Sequence, residues 1–201
     1  MRRFFYTFKF MEDLITEWNT QPNLNTVIYV TSVETPLGIM WAGARAEGIL
    51  FVEFFDRIHL QKELQKLGKL FDAKYILEEN HPHLKQLKEE LIFYFQQSLT
   101  EFKVPLVLTG TDFQKKVYQS LREIPYGKTV TYKEQSIKLG NLKAIRAVAT
   151  ANGKNNHAIV IPCHRIIGSD GSLTGYAGGL WRKKELLKLE NALPQNQLTL
   201  L

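Results

Sequence analysis

The chain has 201 residues, enough for one large domain or two small ones with cores of their own. An apolar share of 44% and a charged share of 23% are ordinary for a globular protein. No stretch approaches the roughly 18 apolar residues of a membrane span, so none is expected.

The net charge of +6 is unevenly spread. Residues 104–201 carry 14 Lys+Arg against 6 Asp+Glu, whereas residues 1–103 carry 12 against 14. A polyanionic partner for the second half and a merely solvated basic surface both fit that asymmetry. The opening MRRFFYTFKF is broken by Lys9, Glu12 and Asp13. It lacks the apolar core and small-residue cleavage site of a secretory signal, so a cytoplasmic protein with a reduced thiol is expected.

Residues 1–25 form a helical or irregular lead-in of unassigned role that ends in QPNLN. From 26 to 103 the pattern is a small α/β lobe. Val27–Val30, Ile39–Ala44 and Ile49–Phe55 are short β-branched and aromatic runs, separated by turns at Thr35–Gly38 and Ala46–Gly48, and predict an antiparallel meander. Helical spacing follows over Ile58–Leu70, with Leu60, Leu64, Leu67 and Leu70 apolar. It returns over His83–Leu99, with Leu84, Leu87, Leu91 and Phe95 on one face. No catalytic constellation falls in this lobe, and His59, His81 and His83 read as surface or capping residues.

The stretch 100–110, with Pro105, reads as a connector of extended chain into a domain over 104–201. Thr111-Asp112 predicts the cap of a helix through Arg122, on which Phe113, Val117 and Leu121 are apolar; Pro125-Tyr126-Gly127 stops it. Thr129–Thr131 is extended, Tyr132–Leu139 is a short helix ended by Gly140, and Asn141 caps a helix over Leu142–Ala151 that bears Lys143 and Arg146. Helix, glycine turn and slim cationic helix outline a helix-turn-helix, although two packed helices of any core share that outline. The run 158–162, AIVIP, predicts an extended segment that delivers Cys163 at its end. A turn at Gly168–Gly171, the loop Gly175–Gly179 and a helix over Trp181–Asn191 complete the chain.

Cys163 is the sole cysteine, so an internal disulfide and a cysteine-rich metal site are both excluded. A buried structural thiol and a nucleophile remain. A nucleophile needs its thiolate, and a free thiol with pKa about 8.5 is mostly protonated at neutral pH; His164 and Arg165 are candidates to correct that. The loop GYAGG has no Lys-Ser/Thr after it and fits no phosphate-binding pattern, but it offers a thin wall for a flat ligand.

The order FQKKVYQSLREIPYGKTVTY, then KAIRAVATANGKNNHAIVIPCHRIIGSDGSLTGYAGG, then KKELLKLE resembles the methylated-DNA–protein-cysteine methyltransferases, or 6-O-alkylguanine-DNA alkyltransferases. The likeness is nearly gapless over residues 113–190 and weaker over 27–99; residues 1–25 match nothing assignable. It implies an α/β fold with a ribonuclease-H-like N-terminal lobe and a mainly helical C-terminal lobe carrying a winged or helix-turn-helix motif. It also implies that Cys163 accepts an alkyl group from 6-O-alkylguanine, and from 4-O-methylthymine, in double-stranded DNA. His164 then acts through a water as base and Glu190 orients it, with Asn155 as a hinge asparagine.

By the same likeness, Tyr132 and Arg146 are a base-flipping pair, helped on DNA by Lys143 and Arg165, and Tyr176, Ala177, Gly178 and Lys183 line the substrate pocket. Ala177 replaces a serine found in some relatives, which bears on lesion preference. Relatives with zinc use cysteines absent here, so no metal or cofactor is expected, and the protein is expected to be a monomer that acts once. Three rivals remain: a non-catalytic lesion binder, against which Cys163 speaks; a regulatory module with residues 1–25 as the stub of a linker; and a cysteine hydrolase, for which no elbow or protease signature is present.

Overall fold

A computed structural model describes residues 2–19 and 25–193. Residues 20–24, most of the polar QPNLN run, lie outside the described residues. The chain divides into two compact units, Met1–Glu89 with Val104–Val107, and Glu90–Lys103 with Leu108–Leu201.

The first unit is built on a four-stranded sheet in the order β3-β2-β1-β4. β1 (Thr26–Thr35), β2 (Gly38–Arg45) and β3 (Gly48–Phe54) form the expected antiparallel meander. The fourth strand, β4 (Ala73–Leu77), pairs parallel with β1 and has no counterpart in the sequence reading. Its five residues carry too little alternation to announce a strand, and the pairing needs the crossover through α2 (Leu60–Phe71).

Along α2, Leu60, Leu64, Leu67 and Gly68 are buried. Leu70, expected on the apolar face, is exposed along with Ile58. The lead-in is a single helix, α1 (Arg2–Trp18), and its Met11, Leu14 and Ile15 join Ile28, Val30, Trp41, Phe51 and Tyr75 in one core. The outer edge of β3 is covered by residues 104–107. Ile49 N–H donates to the Pro105 carbonyl at 2.7 Å, and Val107 N–H to the Ile49 carbonyl at 2.8 Å. That pairing leaves fewer unmet groups on the sheet edge, and it places the middle of the expected connector, residues 104–107, with the first unit.

The helix predicted over His83–Leu99 is α3 (Pro82–Phe95). It stops early because Gln97 adopts φ 59°, outside helical space. The second unit then carries α4 (Asp112–Arg122), α5 (Tyr132–Lys138), a 3₁₀ turn Leu142–Ala144, α6 (Ile145–Gly153) and α7 (Leu180–Leu189). Thr111 caps α4 and Thr131 caps α5. Each accepts a hydrogen bond from the backbone three residues on, while Gln114 and Glu134 return one: two capping boxes. Gly140 turns the chain at φ 79° between α5 and the Asn141-capped 3₁₀ turn, which gives the helix-turn-helix connection.

Three helices are tied by buried amides. Gln135 Nε2 donates to Ser120 Oγ at 3.0 Å, and Asn152 Nδ2 donates to Gln135 Oε1 at 2.8 Å. Because each polar group meets another, burial costs little and the helix angles become specific.

The expected extended run 158–162 is the clearest departure. Its hydrogen bonds are local: Val160 N–H to the Ala158 carbonyl and Ile161 N–H to the His157 carbonyl. Ile159 sits at φ 71°. A left-handed β-branched residue is a strained position costing on the order of 1–3 kcal/mol. Cys163 therefore arrives on a 3₁₀ turn, Cys163–Arg165, which leads into β6 (Ile166–Ile167), and β6 pairs parallel with β5 (Val130–Thr131).

Candidate active site

Cys163 is 7% exposed, at the start of its 3₁₀ turn. Asn155, buried just after α6, reaches it. Nδ2 donates to the Ile161 carbonyl at 2.8 Å and to Cys163 Sγ at 3.3 Å, and Oδ1 accepts from His157 N–H at 2.9 Å. The asparagine thus fixes the turn that carries the sulfur and aims a donor at it. Since α6 ends at Gly153, one side chain links the helix-turn-helix to the thiol.

The next residue, His164, is fully buried, and its Nε2 lies 2.9 Å from Glu190 Oε1. Burial opposes a charge on Glu190, but the hydrogen bonds from His164 and Arg165, with the Arg165 charge, outweigh it and hold the carboxyl well below its usual range. An ionised carboxylate only accepts, so Nε2 carries the proton and Nδ1 is left as the acceptor of a neutral ring. Nδ1 is buried with no protein hydrogen-bond partner among the described residues. Burial first, with Arg165 and Lys183 assisting against Glu190, lowers the His164 pKa and keeps the ring neutral. A neutral imidazole with a free Nδ1 is a competent proton acceptor.

Arg165, expected to contact DNA, is instead 6% exposed and committed inward. Its Nε and Nη2 form a fork on Glu190 at 2.8 and 3.0 Å, and Nη1 donates to the Ile124 carbonyl at 2.6 Å. The physical reason is charge balance: a buried carboxylate with only a neutral imidazole beside it would be unpaired, and a guanidinium fork matches its geometry.

Lys183 is also buried, its Nζ donating to the carbonyls of Ile166 and Thr174. Burial pulls its pKa down to about 8, with the Cys163 charge opposing. Tyr132 is half-buried, and its hydroxyl donates toward the carbonyls of Thr174 and Gly175 at 3.4 and 3.3 Å. Burial, then the Cys163 charge, raise its pKa. Gly175 sits at φ 56°, and a Cβ there would stand 2.6 Å from Tyr132 Oη, so a side chain would strain the backbone and displace the tyrosine.

In the loop, Tyr176 meets the His164 ring edge-on at 6.4 Å, Ala177 is exposed, and the buried Gly178 accepts from Arg182 at 2.9 Å. Cys163, His164, Glu190, Asn155, Lys183 and Tyr132 are thus brought together. Lys143 and Arg146 are not part of that cluster. They are exposed with Ala147 and Thr150, a single face at helical spacing, while Val148 and Ala151 are buried.

A cleft of about 430 Å³ is lined by Gln119, Arg122, Tyr126, Val160, Pro162 and Arg165 among others. It does not include Cys163, Tyr132 or the 176–178 loop, so it is not the pocket the resemblance implies. Among the described residues no group of three or more His, Cys, Asp or Glu side chains is placed to hold a metal ion, and no helix is long and apolar enough to cross a membrane.

Three features were missed by the sequence reading: the inward fork of Arg165, the strained Ile159, and Tyr94, whose hydroxyl lies 2.7 Å from Glu190 Oε1. Tyr94 sits one turn after Leu91 and reads as core, so no local signal marks it.

Comparison with known proteins agrees with this geometry. Residues 28–108 match the family profile "6-O-methylguanine DNA methyltransferase, ribonuclease-like domain", and residues 112–192 match its "DNA binding domain". The methylated-DNA–protein-cysteine methyltransferase of Methanosarcina barkeri is 42% identical over 163 residues, covering 81% of this chain and 97% of that protein. A crystal structure of the Mycobacterium tuberculosis O6-methylguanine methyltransferase superposes with a TM-score of 0.70 at 34% identity, over 86% of this chain and 98% of the other. The same protein solved in complex with DNA gives 0.68 over 85% of this chain and 98% of that one. With both profiles matched and a relative 42% identical over 97% of its own length, this chain belongs to the 6-O-methylguanine DNA methyltransferase family.

Proposed function

We propose that this protein repairs DNA by direct reversal, taking the alkyl group of 6-O-alkylguanine, and of 4-O-methylthymine, onto Cys163. The observation that carries the reading is the donor that Asn155 directs at the sole cysteine, with the next residue, His164, a neutral base held by Glu190.

In the reaction the thiol proton passes through a water to His164 Nδ1, and the thiolate attacks the alkyl carbon. A C–S bond forms and the C–O bond breaks. Its electron pair stays with the guanine, which takes up a proton in return, so atoms and charge balance. Tyr132 or Lys183 supplies a hydrogen bond to the departing base. Backbone N–H groups of the 176–178 loop serve where Ala177 has no hydroxyl. The product is a thioether, a poor leaving group, so each molecule acts once.

A guanine inside a duplex is out of reach, and extrusion costs a few kcal/mol. Arg146, on the exposed alanine-bearing face of α6, fills the vacated stack, while Tyr132 crowds the phosphate and Lys143 contacts the backbone. The working protein is a cytoplasmic monomer that needs no cofactor.

Incubation with a methylated-guanine duplex, followed by intact-mass and peptide analysis, tests the reading. One methylene equivalent is expected on the Cys163 peptide, and Cys163→Ala should abolish it while lesion binding persists. Repeated turnover by unmodified protein would refute the single-use mechanism. Binding without any modification would favour the lesion-binder alternative.

A further inference from the structure

Tyr94 stands near the end of α3, a helix the sequence reading gave to a lobe without chemistry. Its ring is buried, edge-on to Tyr126 at 6.1 Å and tilted against Phe102 at 5.5 Å. Its hydroxyl is 2.7 Å from Glu190 Oε1. The proton's place is settled by both partners. Burial, then the Glu190 charge, raise the phenol well above its ordinary pKa, and Glu190 is ionised, so Tyr94 donates.

Oε1 thereby takes three donors: His164 Nε2, Arg165 Nη2 and Tyr94. Oε2 takes Arg165 Nε at 2.8 Å and Gly127 N–H at 3.4 Å. A carboxylate offers about four lone-pair sites, so Glu190 is saturated and held in one orientation. We propose that Tyr94 is a positioning residue for the thiol's base: through Glu190 it fixes the carboxylate that orients His164 and draws off part of its negative charge. The less charge left on Oε1, the less an imidazolium is favoured, and the more of the ring stays neutral. This inference rests on the function assigned above to Cys163 and His164.

The charged and titratable groups facing the pair are Arg165, Tyr126 and Tyr94 around Glu190, with Lys183 and Tyr176 near His164. Tyr94→Phe leaves all the others in place and keeps the ring packing, so it isolates the hydroxyl. Because Cys163 is the only cysteine, the pH profile of its reaction with iodoacetamide reads one sulfur. Tyr94→Phe should move the acid limb of that profile to higher pH, since a Glu190 relieved of one donor holds the His164 proton more firmly. Transfer from soluble benzylated guanine and from a methylated duplex should slow by the same factor, at least about tenfold, as for one lost charge-assisted hydrogen bond.

A role in packing alone would lower the melting temperature and leave the acid limb where it was. Substitution of Tyr94 by 3-fluorotyrosine, a stronger donor of the same shape, should move the limb the other way, and it decides the question if the phenylalanine variant does not fold. A limb that stays fixed in the folded variants overturns the proposal. A parent protein that leaves Cys163 unmodified on the duplex refutes the function instead, and the iodoacetamide profile still decides the role of Tyr94.

Discussion

Asn155 offers a perturbation whose two effects separate. In the parent its Oδ1 takes His157 N–H at 2.9 Å, and its Nδ2 serves both the Ile161 carbonyl at 2.8 Å and Cys163 Sγ at 3.3 Å. Asn155→Ala removes these contacts together with the longer one from Nδ2 to the His157 carbonyl at 3.5 Å. The Ile161 carbonyl keeps a second donor, Cys163 N–H at 2.8 Å, so the main structural loss is the partner of a buried amide. That loss, with a small cavity, costs about 2–4 kcal/mol of stability. The chemical loss is a donor to a developing thiolate, worth about 1.5–3 kcal/mol, or roughly 10- to 100-fold in rate.

Asn155→Asp distinguishes the two. It keeps an acceptor for the His157 amide but faces the sulfur with a carboxylate, which disfavours the thiolate. Urea titration should therefore rank Asn155→Ala below the parent. Iodoacetamide labelling of the sole cysteine at neutral pH should rank Asn155→Asp slowest of the three. If Asn155→Asp labels as fast as the parent, Asn155 serves the turn alone and the donor argument is wrong.

Arg146→Ala should slow repair of a methylated duplex about tenfold, some 1.4 kcal/mol, while reaction with soluble benzylated guanine stays at the parent rate; equal slowing on both substrates would place Arg146 in the fold or the thiol site. In the first unit, burial pushes the Glu53 carboxyl up to about 8 against the pull of Arg57. The fold thus keeps a proton that the unfolded chain, with its carboxyl near 4.5, gives up. Stability should be fullest below that value and fall as pH rises through about 8. Glu53→Gln should flatten the decline in urea midpoint over this window, and an unchanged slope would show that the carboxyl is ionised in the fold.

What the sequence announced and what it concealed divide along the range of the interaction. The cap of α4 at Thr111 is local, one side chain meeting the backbone three residues away, and it was legible; Thr131, read only as extended chain, caps α5 through the same local pattern, T-x-x-E. The meander follows from turn residues between alternating runs. The run AIVIP misled because β-branched residues favour strands only where a partner strand exists. Here the backbone bonds fold back within the run, and Ile159 takes a left-handed conformation that no propensity foretells. The contacts of Glu190 are hidden for a related reason. Its partners His164, Arg165 and Tyr94 stand 26, 25 and 96 positions away in the chain. No spacing rule reaches so far; the resemblance supplied Glu190 and His164, and nothing supplied Tyr94.

The fate of Arg165 changes how the basic surplus of the second half is to be understood. Residues 104–201 carry 14 Lys+Arg against 6 Asp+Glu, and counted along the chain all of them suggest phosphate contacts. Arg165, Arg182 and Lys183 are buried, serving Glu190, the Gly178 carbonyl, and the carbonyls of Ile166 and Thr174. Lys138 pairs with Glu123 at 2.6 Å on the surface, a pair that salt screens and that contributes little. The exposed set includes Lys116, Lys133, Lys143, Arg146 and Lys154. Only cations that release counterions set the salt slope of binding, at about 0.9 per neutralised phosphate. The buried ones instead hold a carboxylate and a loop around the thiol. Under the proposed function the positive charge of this half has two tasks, one at the duplex and one inside the site, and a substitution at Arg165 or Lys183 belongs to the second.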